Sequence, residues 1–264
     1  MRFGHACGRW FLRQSRLTRI AIVAAVLGVS AGLMDMAHTH SLERRLMIAD
    51  PDTIPLSRAL ARFAVKDGRA VYANNCASCH GGDGQGDPAQ STPSLIDADW
   101  LYGSGKISEI EHTVSYGIRA GGPKTWNLAE MPAYATPHPS PSENIAPLSP
   151  GDIRDVVEFL RGLEKRDADP AAAARGAQIY QGRGGCFDCH GQDAVGDPAI
   201  GAPNLTDSIW LQGDGSREAM FAVIAGGRKG VCPSWTTRLK AAEIRALAVY
   251  VFSLSHPITT AGKP

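Results

Sequence analysis

The sequence predicts an all-α protein in which two tandem copies of one small domain follow an N-terminal hydrophobic helix. Three features support this fold class: apolar residues recur at helical spacing, strand-like alternation is nearly absent, and an internal repeat runs along most of the chain. The expected boundaries are a basic segment with a hydrophobic helix over residues 1–37, a linker over 38–56, a first domain over 57–165 and a second domain over 168–258.

Composition restricts the classes of function. A chain of 264 residues is long enough for two small domains, and its net charge of +1 does not indicate a nucleic-acid partner. Four of the six cysteines lie in two short motifs, so Cys7 and Cys232 alone make no disulfide framework. Neither copy contains a Ser/His/Asp arrangement, a phosphate loop or a paired-carboxylate signature, so we expect no enzyme activity from this chain by itself.

The N-terminal segment indicates export. Residues 1–19 hold five arginines and no acidic residue, and an apolar run of 15 residues follows from Ile20 to Met34. Arginines before an apolar run keep the N-terminus in the cytoplasm, so the domains that follow are exported. The run is shorter than the roughly 20 residues that span a bilayer, and it also fits a cleaved signal peptide with a small-residue site at Val29-Ser30-Ala31. We favour a retained membrane anchor, with a soluble periplasmic protein as the alternative.

The internal repeat relates positions 110 residues apart in the first part of each copy, such as Cys76 and Cys186 or Pro93 and Pro203. Near the end of each copy the offset falls to 91 residues, because the first copy carries a longer Pro- and Ser-rich loop near 135–148. The two closing segments each carry an apolar stripe at helical spacing: Ile153, Val156, Val157, Leu160 and Leu163 in the first, and Ile244, Leu247, Ala248, Val251 and Leu254 in the second.

Two capping signals predict where helices begin. Asp169-Pro170 predicts an N-cap followed by proline at the first helical position, which opens a helix through Ala171–Tyr180, and Ser149-Pro150 does the same for the helix that closes the first copy. The stretch Ile107–Tyr116 is also expected to be helical.

Each copy also contains a CxxCH motif, which is the attachment site of a c-type haem. The two thiols add to the haem vinyl groups, and the histidine supplies the proximal iron ligand. The motif residues are Cys76, Cys79 and His80 in the first copy and Cys186, Cys189 and His190 in the second. A zinc site would need a second Cys or His pair at ligand spacing, and neither copy has one. The sequence therefore predicts two haem c groups, which implies a periplasmic location.

An electron-transfer haem commonly takes a distal methionine as its second axial ligand. Met131, 51 residues after His80, is the candidate for the first haem, and His112 is a weaker competitor. In the second copy Cys232 occupies the equivalent place, which leaves three readings open: a thiolate ligand, an unbound thiol beside an open iron, or another ligand. Arg119 and Arg228 lie a little upstream of the two distal positions and could pair with haem propionates.

These residues carry a specific resemblance. The first copy contains GxxxYxxNCxxCHGxDGxGD, PSLxDxDWLYG, GIRxG and MPAY, and the second contains CxxCHGxDxxGDPxxGAPNLTDxIWLxG and GVCPSW. Together they resemble the diheme subunit III of cbb3-type cytochrome c oxidases over roughly residues 60–256, with GVMPAW expected where GVCPSW stands. The resemblance implies two cytochrome c domains that are anchored to the bacterial inner membrane and face the periplasm. It also implies an electron donor, either a cytochrome c or the bc1 complex, and a haem–copper oxidase core as the acceptor.

Two departures from that family keep other functions open. The N-terminal segment lacks the long, Trp-rich membrane helix usual in the subunit, and Cys232 replaces the expected methionine. The alternatives are a soluble or anchored diheme carrier, such as the cytochrome subunit of a periplasmic dehydrogenase, or a haem sensor with an unusual second haem.

Overall fold

The computed structural model describes residues 15–87, 92–139 and 144–258, and the described chain forms two compact bodies that divide after Ile48. Its α-helices are α1 Arg16–Ile48, α2 Arg58–Asn75, α3 Ala77–His80, α4 Ile107–Tyr116, α5 Pro150–Leu163, α6 Pro170–Gln181, α7 Phe187–His190, α8 Arg217–Gly226 and α9 Ala241–Ser255. A 3₁₀ helix spans Pro51–Leu56, and two short strands, β1 His138–Pro139 and β2 Asn144–Ile145, pair antiparallel. The all-α prediction is confirmed.

The N-terminal body consists of one helix, α1, which is longer than the sequence suggested. Residues 38–48, expected to belong to a linker, continue the helix because neither proline nor glycine interrupts them. Its 33 residues correspond to a length of about 50 Å at the usual helical rise. In the part of the chain that the structure describes, this is the one helix long and apolar enough to cross a membrane.

Two signals predicted from the sequence define helix starts in the second body. The Ser149 side chain accepts a hydrogen bond from the Asp152 backbone N–H at 3.1 Å, and the Asp152 carboxylate accepts one from the Ser149 N–H at 2.9 Å. This capping box opens α5, with Pro150 in the first turn. The Asp169 carboxylate likewise accepts from the Ala172 N–H at 2.7 Å at the start of α6. Both predicted caps are confirmed.

The closing helices of the two copies are exchanged. Helix α9, which ends the second copy, packs on α2 and α4 of the first copy. Helix α5, which ends the first copy, packs on α6 and α8 of the second. We call α2, α3, α4 and α9 the first lobe, and α5, α6, α7 and α8 the second lobe. The lobes therefore differ from the expected domains 57–165 and 168–258, since each lobe takes its last helix from the other copy.

A glycine permits the close helix crossing in each lobe. A Cβ on Gly68 of α2 would collide with the Ala246 carbonyl and lie 2.7 Å from the Tyr250 Cβ on α9. A Cβ on Gly176 of α6 would meet the Asp155 carbonyl of α5 in the same way. The two crossings are repeat-matched, so both lobes bury the same apolar stripe by the same backbone contact.

The exchange follows from one pair of repeat-matched positions. In the second lobe, Glu158 of α5 binds Arg217 of α8, and the guanidinium holds the pKa of that carboxyl below its usual range. In the first lobe, the matched positions are Val249 of α9 and Ile107 of α4, both fully buried. An arrangement without exchange would bury Glu158 against an isoleucine and leave Arg217 facing a valine. Burying an unpaired charge is costly, so the exchanged pairing is the one that satisfies both lobes.

Candidate haem sites

The proximal histidines are held identically in the two lobes. The His80 Nδ1 lies 3.1 Å from the Pro93 carbonyl oxygen, and the His190 Nδ1 lies 3.0 Å from that of Pro203. Because a carbonyl only accepts, each Nδ1 carries the proton and each Nε2 keeps its lone pair for a metal. Burial lowers the pKa of both imidazoles, which favours the neutral form that ligates iron.

A tyrosine supports the glycine after each motif. The Tyr72 hydroxyl donates to the Gly81 carbonyl at 2.7 Å, and the Tyr180 hydroxyl donates to the Gly191 carbonyl at the same distance. Neither these contacts nor the role of the two prolines was predicted from the sequence. The two prolines could have been recognised, because they match across the 110-residue repeat. The two tyrosines are 108 residues apart, so they match only when the offset of the repeat is allowed to change.

No disulfide joins the four motif cysteines. Burial raises the pKa of both Cys76 and Cys186 to about 11. In the second lobe, Tyr134 forms a side-chain hydrogen bond with Cys186, so the loop around this tyrosine covers the motif. Burial also raises the pKa of Tyr134.

Met131 lies in the second lobe, not in the first, where the sequence analysis expected it opposite His80. Its backbone pairs with that of Arg228, which lies just after α8. The Met131 N–H donates to the Arg228 carbonyl at 3.1 Å, and the Arg228 N–H donates to the Met131 carbonyl at 2.9 Å. Its side chain packs against the second-lobe core, to which Cys186 and Phe187 also belong. Met131 therefore lies beside the second-lobe core, away from the place opposite His80 that was expected for it, and its ligation of a haem iron stays a prediction.

Cys232 lies in the first lobe, on the other side of the same exchange. It pairs with Ile118 through backbone hydrogen bonds of 2.9 and 3.0 Å, just after α4. Ile118 and Arg228 are repeat-matched, so Cys232 holds in the first lobe the place that Met131 holds in the second. Burial raises the pKa of both Cys76 and Cys232. The nearby Cys232 raises the pKa of Cys76 further, and the nearby Cys79 raises the pKa of Cys232 further.

Glycines make room for both distal segments. Gly117 and Gly227 end α4 and α8 with φ angles of 72° and 64°. A Cβ on Gly117 would collide with the Cys232 carbonyl, and a Cβ on Gly227 would lie 2.6 Å from the Met131 carbonyl oxygen. The two positions thus need glycine for both its left-handed backbone and its small size.

The sites contain buried donors that an acidic cofactor would satisfy. Among the described residues, Arg119 Nε, Arg228 Nε and Trp210 Nε1 are buried with no hydrogen-bond partner. Arg119 also donates through Nη1 to the Tyr102 hydroxyl at 2.9 Å, and burial lowers the pKa of Arg228. Unsatisfied buried donors are costly, and haem propionates are strong acceptors. The residues present therefore fit a haem in each lobe.

His112, the weaker candidate for a distal ligand, is held by a hydrogen bond and by two aromatic rings. Its Nε2 lies 2.9 Å from the Lys124 carbonyl oxygen, and its ring contacts Tyr116 and Trp126 at centroid distances of 4.8 and 5.0 Å. The imidazole thus packs between two aromatic rings and has a hydrogen-bond partner, which gives it a structural role in the first lobe.

Comparisons with known proteins identify the family of the two motif-bearing copies. The family model described as "Cytochrome c" matches residues 65–164, and the one described as "Cytochrome C oxidase, cbb3-type, subunit III" matches residues 171–251. The chain is 40% identical over 210 residues to the cbb3-type cytochrome c oxidase subunit FixP of Bradyrhizobium sp., covering 78% of this chain and 66% of that one.

Two further relatives extend the comparison. The chain is 36% identical to subunit CcoP of Cereibacter sphaeroides, covering 81% of this chain and 69% of the relative. It is 32% identical to FixP of Azorhizobium caulinodans, covering 93% and 74%. The chain thus spans about two thirds to three quarters of these relatives. Together with the two tandem cytochrome c domains, these similarities show that the chain belongs to the family of cbb3-type cytochrome c oxidase subunit III.

Proposed function

We propose that this chain is a two-haem relay that passes single electrons to a cbb3-type haem–copper oxidase. The observation that carries the proposal is the matched pair of motifs, each with its histidine fixed by a proline carbonyl and each covered by a segment from the other half of the chain. A bound haem c supplies a one-electron iron couple. In this proposal the reduction of oxygen belongs to the oxidase core, and this chain supplies the electron path.

The residues divide their roles between the two lobes. Cys76 and Cys79 form the thioether bonds of the first haem and His80 ligates its iron; Cys186, Cys189 and His190 do the same for the second. Met131 supplies the sixth ligand of the second haem, because it lies in that lobe. Arg119 and Arg228 hold propionates, since their buried Nε groups need acceptors.

The same proposal places the lobes in the periplasm and the helix α1 in the inner membrane. The basic segment before α1 favours a cytoplasmic N-terminus, and covalent haem attachment takes place on the exported side. The electron donor is then a periplasmic cytochrome c or the bc1 complex, and the acceptor is the oxidase core.

The first test is a haem-stained native gel of gently solubilised membranes, run beside the soluble fraction. We expect the haem-bearing chain to co-migrate with an oxygen-reducing complex. A small free species in either fraction would instead support a separate diheme carrier, such as the cytochrome subunit of a dehydrogenase. Carbon monoxide binding to one reduced haem of that species would point to a sensor.

Cys232 determines the character of the first haem, and we propose that its thiolate is the sixth ligand there. We expect Cys232→Met to replace an anionic ligand with a neutral thioether, and so to raise the midpoint potential of one haem by on the order of 100 mV or more. Potentiometric titration of the purified protein measures this shift.

Cys232→Ala serves as the companion variant, because it removes the thiol and supplies no other donor. We expect loss of one low-spin ferric signal in electron paramagnetic resonance and a shifted Soret band. Unchanged spectra in both variants would mean that the thiol stays unbound and that the first haem takes a different sixth ligand.

A further inference from the structure

A shallow groove with a basic rim lies on the first lobe, between α2 and α9. Arg62, Lys66 and Arg69 follow one face of α2 at helical spacing and are exposed. Val65 lies between them, and Tyr250 and Leu254 of α9 line the opposite wall. No acidic residue lines the groove among the residues that the structure describes. The chain as a whole carries a net charge of only +1, so this positive face is a local feature.

The groove leads directly to the first haem site. The Tyr250 ring contacts the Tyr72 ring at a centroid distance of 5.3 Å. The Tyr72 hydroxyl donates at 2.7 Å to the carbonyl of Gly81, the residue next to His80. On the same side, the Leu254 side chain lies against Gly84 in the loop after the motif. A partner seated in the groove would be separated from the proximal histidine by one pair of tyrosines and one hydrogen bond.

The second lobe has the same framework without the charges. Tyr180 corresponds to Tyr72, and its ring contacts Phe159 at 5.2 Å, in the place of Tyr250. Counted from these tyrosines, the positions of Arg62, Lys66 and Arg69 are held by Pro170, Ala174 and Ala177. Arg175, which does lie on α6, is paired with Asp155 through two hydrogen bonds of 2.7 Å. At the matched positions the first lobe therefore has three cationic side chains and the second lobe has none.

We infer that this groove docks the acidic face of a soluble one-electron carrier protein; this rests on the proposed function, since it needs a redox-active first haem. Charge complementarity steers such partners and accelerates their association, while the apolar floor contributes short-range contact. The charge difference between the lobes assigns the encounter with the carrier to the first lobe.

The test uses the full chain with both haems, purified in detergent and fully reduced. An acidic plant plastocyanin serves as the anionic protein probe and a basic monohaem cytochrome c as the cationic one. In stopped flow at low salt, we expect R62E/K66E/R69E to slow oxidation by plastocyanin at least about tenfold and to remove most of its salt dependence. The reaction with the basic cytochrome should not slow.

A matched control reverses three other exposed cations, R154E/K165E/R238E, and so makes the same change in net charge. We expect it to react with plastocyanin at nearly the wild-type rate. R62Q/K66Q/R69Q should fall between the wild type and the triple reversal. Haem content and optical spectra establish that each variant is intact, because all the substituted side chains are exposed.

Two results would overturn the inference. One is an equal slowing by the groove variant and the control variant, or none by either. The other is a groove variant that keeps the plastocyanin rate but no longer sediments with vesicles of anionic phospholipid, which would make the groove a lipid-facing surface. Either result could be found for a protein that carries two haems and co-migrates with the oxidase. In that case the inferred docking site is wrong, and the proposed function as a two-haem electron relay is still supported.

Discussion

Replacing Gly68 with leucine is expected to force α2 and α9 apart and to unfold the first lobe. The added side chain would overlap the backbone of Ala246, which cannot move as the end of a flexible side chain can. Overpacking of this kind costs about 3 kcal/mol or more where the backbone must shift. Thermal unfolding followed by circular dichroism, with the haem content measured by pyridine haemochrome, would show both effects.

Gly162→Leu is the matched control, because Gly162 also lies in a helix and a Cβ there would meet nothing within 4 Å. We expect it to be neutral or slightly stabilising, since leucine favours helix more than glycine. A Gly68→Leu protein that unfolded at the wild-type temperature would show that α2 and α9 are not in contact, and the exchange of closing helices would then be wrong.

Replacing Met131 with alanine is expected to change the haem of the second motif and to leave that of the first motif as it is. Loss of the thioether opens one iron position, so one reduced haem should bind carbon monoxide stoichiometrically where the wild type does not. Proton NMR of the reduced protein identifies which haem is affected. The methyl group of a ligating methionine should show contacts to Phe187 in the second lobe, and this signal should disappear in the variant.

Met220→Ala provides the comparison, because Met220 is a buried core residue of the same lobe. It should lower stability by about 2–5 kcal/mol while the haem ligands stay the same. If the Met131 methyl showed contacts to first-lobe residues such as Tyr72, Met131 would belong to His80, as the chain order alone suggests.

The sequence was sufficient for the motifs, the proximal histidines and the helices. The helix over Ile107–Tyr116 has the predicted bounds, and the predicted caps at Ser149 and Asp169 both form. These features are local, because a cap or an apolar stripe depends on residues within one or two turns. The linker prediction was weaker, since polar residues over 38–48 resemble a loop in composition while nothing in them ends a helix.

The exchange of the closing helices was not predicted, because the repeat itself hides it. Both closing helices carry the same apolar stripe, so hydrophobic periodicity cannot assign either one to a lobe. The signal that does assign them is a difference in chemistry at matched positions: the second lobe pairs the charged Glu158 with Arg217, and the first lobe pairs the apolar Val249 with Ile107. It becomes visible only when positions at two different offsets are compared together. The positions of Met131 and Cys232 follow from the same crossing, so each lies in the other lobe from the one that its place in the chain order indicated.

The crossing of α5 and α9 has a consequence for biogenesis. In the proposed export of the chain, the first CxxCH motif would emerge early, and α9, which closes its lobe, would emerge after the other described helices. The first lobe therefore stays open while the second lobe can already fold around α5, α6 and α8. Contacts between such distant segments form slowly, because a long loop must close first. Under the proposed function, haem attachment at the first motif would therefore have a longer period of access than attachment at the second.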